Sequence, residues 1–330
     1  MLARIAQELF WLGRDLTRAE HTARILDGAF HSDVAGVPWE RGIALSWEGV
    51  LATIGAKPPA PGEEETSLAE HAPLTIGLER NQVARLLTLD TDSPASVVSC
   101  VARARERGRT MRDVISTEMW EALNSFYLRL GRYDLQAALQ TGPYSFYQEV
   151  KENCALFWGL LDRTLLRDEG RAFLEAGGRI EEADMVLRML RVAIPNGALE
   201  EAPPTLETEA LALLHAVGGF QAYRRAVRVA PTMGPVVRFL LFESAYPGSV
   251  ASSVEALAAA LTAADAQPRS SPPVLRLGRL IADLELQRRA PDAGGEIELI
   301  LERVQDELEL VDRDIDVRYF AIAALAAIHL

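Results

Sequence analysis

The chain has 330 residues, 49% of them hydrophobic, and a formal net charge of −13. That length suits one large domain or two medium ones with a sizeable core. The acidic balance argues against sequence-independent binding to phosphate backbones, which needs clustered Lys and Arg; it fits a soluble surface or a basic partner.

Helical periodicity dominates from the first residues. Leu12, Leu16, Ala19, Ala23 and Leu26 recur at steps of three and four and share one helix face. Ala, Leu, Arg and Glu abound, all good helix formers, and no alternating Val, Ile or Thr run bounded by turn residues marks a strand. Helices are predicted near 2–29, 39–55, 77–90, 95–115, 117–129, 144–167, 170–192, 206–228, 233–244, 248–265, 273–289 and 294–328. Loops separate them at "AKPPAPGEEETS" (56–67), "IPNGALEEAPP" (194–204), "QPRSSPP" (267–273) and "APDAGG" (290–295). In "SPAS" (93–96), Ser93 reads as an N-cap with Pro94 in the first turn.

The chain resembles itself. "RLLTLDTDSPASVVSCV" (85–101) aligns with "RFLLFESAYPGSVASSV" (238–254) at a shift of 153, pairing Arg85 with Arg238, Pro94 with Pro247 and Ser96 with Ser249. "GRDLTRAEHTARIL" (13–26) aligns with "GGRIEEADMVLRML" (177–190) at a shift of 164, pairing Gly13 with Gly177, Ala19 with Ala183 and Arg24 with Arg188. The Pro-rich loop at 56–67 accounts for the difference of 11 between the shifts. An all-α, bundle-like architecture of two related halves follows, 1–168 and 169–330, packed as one unit. Sites between such halves are common.

"MLARIAQELFWLGRDLTRAEHTARILD" resembles the start of the bacterial alpha-E domain family, an alpha-helical domain with a Glu-Arg motif. The likeness continues through "SVVSCVARARERGRTMRDVISTEMWEALNSFY" (97–127), "VKENCALFWGLLDRTLLRDEGRAFLEAGGRIEEADMVLRML" (150–190) and "VVRFLLFESAYPGSVASSV" (236–254). It implies the company of a circularly permuted ATP-grasp ligase, often with a transglutaminase-like protein, and hence carboxylate–amine ligation of a peptide-like product. The motif itself is altered: the pair reads Thr17-Arg18 in the first copy and Glu181-Glu182 in the second. Either it has decayed, or Arg18 and Glu181 meet across the halves and restore one pair.

Candidate sites follow from charges on or beside apolar stripes. Glu20 and Arg24 stand at i and i+4, the favourable order for a helical ion pair, and Asp184 and Arg188 repeat it. Phe10, Trp11 and Ile25 make the far side of that first helix partly apolar, so its charges need partners where they are covered. They form either an inter-helix network that fixes packing or a pocket. In "RARERGRTMRD" (103–113), Arg103, Arg107, Arg109 and Arg112 either grip a phosphate or carboxylate or make internal ion pairs with interleaved acids. Trp120 reads as a core anchor, and the resemblance marks Arg112, Glu118 and Asn124 as polar core or site residues. Arg14 and Arg107 join the candidate binding groups. No GxxxxGK[ST], GxSxG or HExxH motif occurs, and His21, His31, His71, His215 and His329 lack ligand spacing. No metal is expected. Cys100 and Cys154 have neither zinc-type spacing nor a disulfide framework, so a reducing compartment is expected and Cys154 belongs in the core. The start has no signal-peptide pattern and no stretch of 18 uncharged apolar residues occurs; the chain is expected in the cytoplasm, with no membrane or nucleic-acid partner.

The leading expectation is an accessory or scaffold subunit for an ATP-grasp-type ligase, with ATP and Mg held by that partner, in a homo- or hetero-oligomer. One alternative is a stand-alone amide-forming or group-transfer enzyme using Arg18, Glu20, Arg24, Glu181, Asp184 and Arg188 in a cleft between the halves. The other is a helical interaction module.

Overall fold

The computed structural model describes residues 1–34, 45–57, 75–134, 137, 143–194, 205–290 and 297–321. Among these residues the regular structure is entirely helical. The helices are α1 (Ala3–Val34), α2 (Trp47–Ile54), α3 (Thr75–Thr88), α4 (Val97–Thr110), α5 (Thr117–Leu130) and α6 (Tyr144–Thr164), followed by α7 (Glu169–Ala193), α8 (Thr205–Ala216), α9 (Phe220–Ala226), α10 (Met233–Phe242), α11 (Val250–Ala264), α12 (Pro272–Arg289) and α13 (Ile297–Ile315). A 3-10 turn (Pro268–Ser270) precedes α12, and a π turn (Asp316–Phe320) extends α13. The loops expected at 56–67, 194–204 and 290–295 fall almost wholly outside the described residues.

The two longest helices form the centre. In α1 the predicted stripe of Leu12, Leu16, Ala19, Ala23 and Leu26 is fully buried, and so are Phe10 and, nearly so, Ile25. In α7 apolar residues are buried all round, from Ala172 and Phe173 to Met189 and Leu190. A helix covered on every side belongs inside a protein, not at its surface. The two cross backbone to backbone. A methyl on Gly13 would fall 2.2 Å from the Leu174 carbonyl oxygen, and one on Gly177 1.8 Å from that of Phe10. No side chain with a Cβ fits at either position, so glycine sets the depth of the crossing.

The other helices wrap this pair. α4 and α6 pack on α1, α5 on α4 and α6, while α11 and α13 pack on α7 and α12 on α11 and α13. The short helices cross over: α2 lies on α7, and α8 lies on α1. The core is continuous across all of them. Serine caps set several starts. Ser46, Ser96, Ser116 and Ser249 each accept a bond from the amide three residues on.

Three expectations need correction. The cap of α4 is Ser96, not Ser93: Ser96 Oγ takes the Ser99 amide at 3.1 Å, while Ser93 belongs to the preceding turn. The span 206–228 is two helices, because Gly218 adopts φ +70° and closes α8 before α9 begins. The last predicted helix, 294–328, is α-helical over Ile297–Ile315 and turns to π-geometry over Asp316–Phe320; its residues 294–296 and 322–328 lie outside the described residues.

Candidate functional site

The centre of the α1–α7 crossing holds a buried carboxylate. Glu181 of α7 is 0% exposed. Arg14 Nε donates to its Oε2 at 2.9 Å, and Arg18 Nε to its Oε1 at 2.5 Å. Arg14 and Arg18 lie one turn apart on α1, so a single carboxylate reaches both. Arg14 Nη1 also donates to both oxygens of Asp312 on α13, at 2.8 and 3.0 Å, and its guanidinium lies 4.7 Å from the Trp11 ring. Two cations thus face two carboxylates. Burial alone would raise the Glu181 pKa, but Arg18 and Arg14 outweigh it and hold Glu181 below the usual carboxylate range. Burial would lower the Arg14 and Arg18 pKa values; their carboxylate partners outweigh it and raise both.

Arg18 and Glu181 therefore do meet, each supplied by a different long helix. The remaining candidates sit around them in local pairs. Arg24 donates twice to Glu20 Oε1, at 2.9 and 2.7 Å, and Arg188 pairs with Asp184 at 2.8 Å. Burial raises the Asp184 pKa despite Arg188. The six do not share one cleft, as an enzyme built on all of them would need. Each residue turns a helix by about 100°, so Glu20 and Arg24 leave α1 on a different flank from Arg14 and Arg18.

The basic run on α4 is tied inward. Arg103 and Arg107 both bond Asp15, at 2.9 and 3.2 Å, and Arg107 also holds Glu8 at 2.8 Å. Asp15 is buried, which raises its pKa against the pull of both arginines. Arg109 pairs with Glu106 at 2.8 Å. Asn124 accepts from Arg105 at 3.1 Å. Arg112 and Glu118 are exposed, not core residues. Trp120 is half-buried against the core and carries Arg112 on its ring at 4.2 Å, so it serves both as anchor and as platform. None of these bonds reaches Glu181. Both cysteines are buried free thiols, and burial pushes Cys100 up to about 12.

A cleft of about 540 Å³ opens on the other flank of the crossing. Thr17, Glu20, His21 and Arg24 line it from α1, a stripe at i, i+3, i+4 and i+7. Arg171, Glu175, Gly178, Arg179 and Glu182 face them from α7 at the same helical spacing. α6 closes one wall with Trp158 and Asp162, and Tyr246 closes another. Within the cleft Arg171 bonds Asp162 and Glu175, both at 2.8 Å, and Arg179 bonds Glu182 at 2.7 Å. Of the sequence candidates only Glu20 and Arg24 lie here. Thr17 and Glu182, the altered positions of the Glu-Arg motif, also line it; the rest of the lining carries no motif, and its one available signal is a polar stripe on each of two helices that are otherwise buried. Among the described residues no group of three His, Cys, Asp or Glu side chains is placed to hold a metal ion, and no helix is long and apolar enough to cross a membrane.

Residues 1–320 match the model of the Alpha-E family, "a predicted alpha-helical domain with a conserved ER motif". The chain belongs to the Alpha-E family. No curated protein and no solved structure matches it. In this Alpha-E chain Glu181 of α7 bonds Arg18 of α1, and a second Glu-Arg pair, Glu20 and Arg24, forms within α1.

Proposed function

We propose that this Alpha-E chain is an accessory subunit of an ATP-grasp-type carboxylate–amine ligase, holding substrate for a reaction whose ATP and Mg sit in the partner. The observation that carries the accessory role is the state of the six candidate catalytic residues. Each is already bound to an opposite charge inside the chain, at 2.5 to 2.9 Å. A general acid or base works best with its pKa near the operating pH; Glu181 and Arg18 are pushed away from it, in opposite directions. The ligase partner, and a cytoplasmic location with it, come from the resemblance described above, as does the transglutaminase-like neighbour.

The same reading takes the chain as two related halves, 1–168 and 169–330. Reciprocal contacts support it: Gly13 meets Leu174 as Gly177 meets Phe10, each pair related by the shift of 164. Gly218 lies against Arg24 as Gly55 lies against Arg188.

The test is affinity capture of the tagged chain from native lysate, read by mass spectrometry, followed by ligase assays with and without it. An ATP-grasp protein in fixed stoichiometry, with turnover that depends on this chain, supports the proposal. A purified chain that joins carboxylates to amines and consumes ATP unaided overturns it and favours the second reading, a stand-alone amide-forming enzyme. The cleft beside His21 is the observation on that side.

A further inference from the structure

We propose that the cleft between α1, α6 and α7 binds a small primary ammonium compound with an apolar body, and that His21 accepts a hydrogen bond from its ammonium group. This rests on the reading above that the chain holds a substrate, and places that substrate in the cleft.

His21 is 9% exposed, lines the cleft, and makes no hydrogen bond to another residue of the chain among those described. A largely buried imidazole that lines an open cleft and has no partner within the chain can bond a molecule entering that cleft. The charge around it selects the ligand's sign. Four carboxylates line the cleft, Glu20, Asp162, Glu175 and Glu182, against three guanidinium groups, Arg24, Arg171 and Arg179. All three cations are engaged with those carboxylates. The carboxylates are not used up: the bonds to Glu20 fall on Oε1 and the bond to Glu182 on Oε2, leaving one oxygen of each for another donor. An ammonium group has three donors. Those two oxygens and the bare nitrogen of a neutral imidazole match it in number. The Trp158 ring lies so close to Gly178 that a methyl there would fall 2.7 Å from it, and Trp158 and Tyr246 give aromatic walls that suit a cation or an apolar body. A cleft of about 540 Å³ is within the range of small-molecule sites.

Burial lowers the His21 pKa, against the pull of Glu182, Glu20 and Glu181 and with the help of Arg24. The ring is therefore neutral at pH 7 and becomes a cation only below its ordinary range. Ammonium binding should weaken only once pH falls below the ordinary histidine value of 6.5 and protonates the ring.

The experiment is calorimetry on the isolated full chain with three probes of similar shape: 2-phenylethylammonium, its neutral N-acetyl derivative, and the 3-phenylpropionate anion. The ammonium should bind about ten-fold or more tightly than either. His21→Leu and Glu182→Gln should each weaken it by about ten-fold while helicity by circular dichroism stays as in the parent. Equal binding of the three probes, no binding of the ammonium, or ammonium binding untouched by Glu182→Gln in a folded variant overturns the assignment. The capture experiment is independent of this one. A ligase partner with no ammonium binding removes this inference and leaves the accessory role; ammonium binding without a ligase does the reverse.

Discussion

Removing the Glu181 carboxylate leaves Arg14 and Arg18 side by side with Asp312 as the only acid bonded to either of them among the described residues. Breaking a buried pair by deleting one partner costs on the order of 3–5 kcal/mol, so Glu181→Ala should lower the urea midpoint by that equivalent. The pH sign follows from the depressed pKa of Glu181. Its ionised form is favoured in the fold, so its stabilisation is present above the unfolded value near 4.5 and is lost as pH falls below it. A Glu181→Gln variant should lack that acid-limb loss in a stability-versus-pH series. Glu209 of α8 behaves oppositely. Burial pushes its pKa up to about 7. The fold then binds a proton that the unfolded chain has released, and stability declines as pH rises from about 4.5 through 7. Glu209→Gln should gain on the order of 1–3 kcal/mol at pH 8 and nothing at pH 4; equal gains at both pH values would refute the titration.

Three of the helical glycines, Gly13, Gly177 and Gly278, separate propensity from packing. Alanine is the better helix former by about 0.5–1 kcal/mol. Gly278 of α12 has nothing within 4 Å of a would-be methyl, so Gly278→Ala should stabilise by that amount. Gly177→Ala meets the Phe10 backbone at 1.8 Å and should destabilise by about 3 kcal/mol or more, with Gly13→Ala close behind; thermal melts of the three variants decide it. Such contacts explain what a sequence reader sees and misses. The periodic stripe of α1 was legible because burial repeats at helical spacing. Gly218 is silent in the sequence because a glycine in a helical pattern does not announce its φ, and Ser93 and Ser96 are hard to tell apart because both offer the same cap chemistry three residues apart. Arg18 and Glu181 were visible as two halves of a motif, one possible outcome being their contact. Asp312 was invisible: it lies 298 residues from Arg14, and no local pattern links them.

For the whole molecule, the crossing-over of α2 and α8 matters most. Each of the proposed halves lays a short helix on the other's long one, so neither half alone completes the cover of its central helix. Fragments 1–168 and 169–330 should be poorly structured alone and should regain a cooperative melt when co-expressed, as read by circular dichroism and gel filtration. Two independently folded monomeric fragments would contradict the shared core. Screening by salt should matter little to this assembly, because the Glu181 carboxylate that joins α1 to α7 is fully buried.

The glycine crossing also decides which kinds of sequence change this architecture tolerates. With the backbones of α1 and α7 in contact at Gly13 and Gly177, the long helices have one register and no side chain to act as a shim. Deleting one residue between Gly13 and Arg18 would rotate everything beyond it by about 100° and shift it by about 1.5 Å. Arg18 would swing away from Glu181, and the cleft stripe would turn into the core. Length within this part of α1 is therefore under tighter control than residue identity: substitutions there change a contact, whereas an insertion or deletion would exchange the buried clamp and the open cleft for neither.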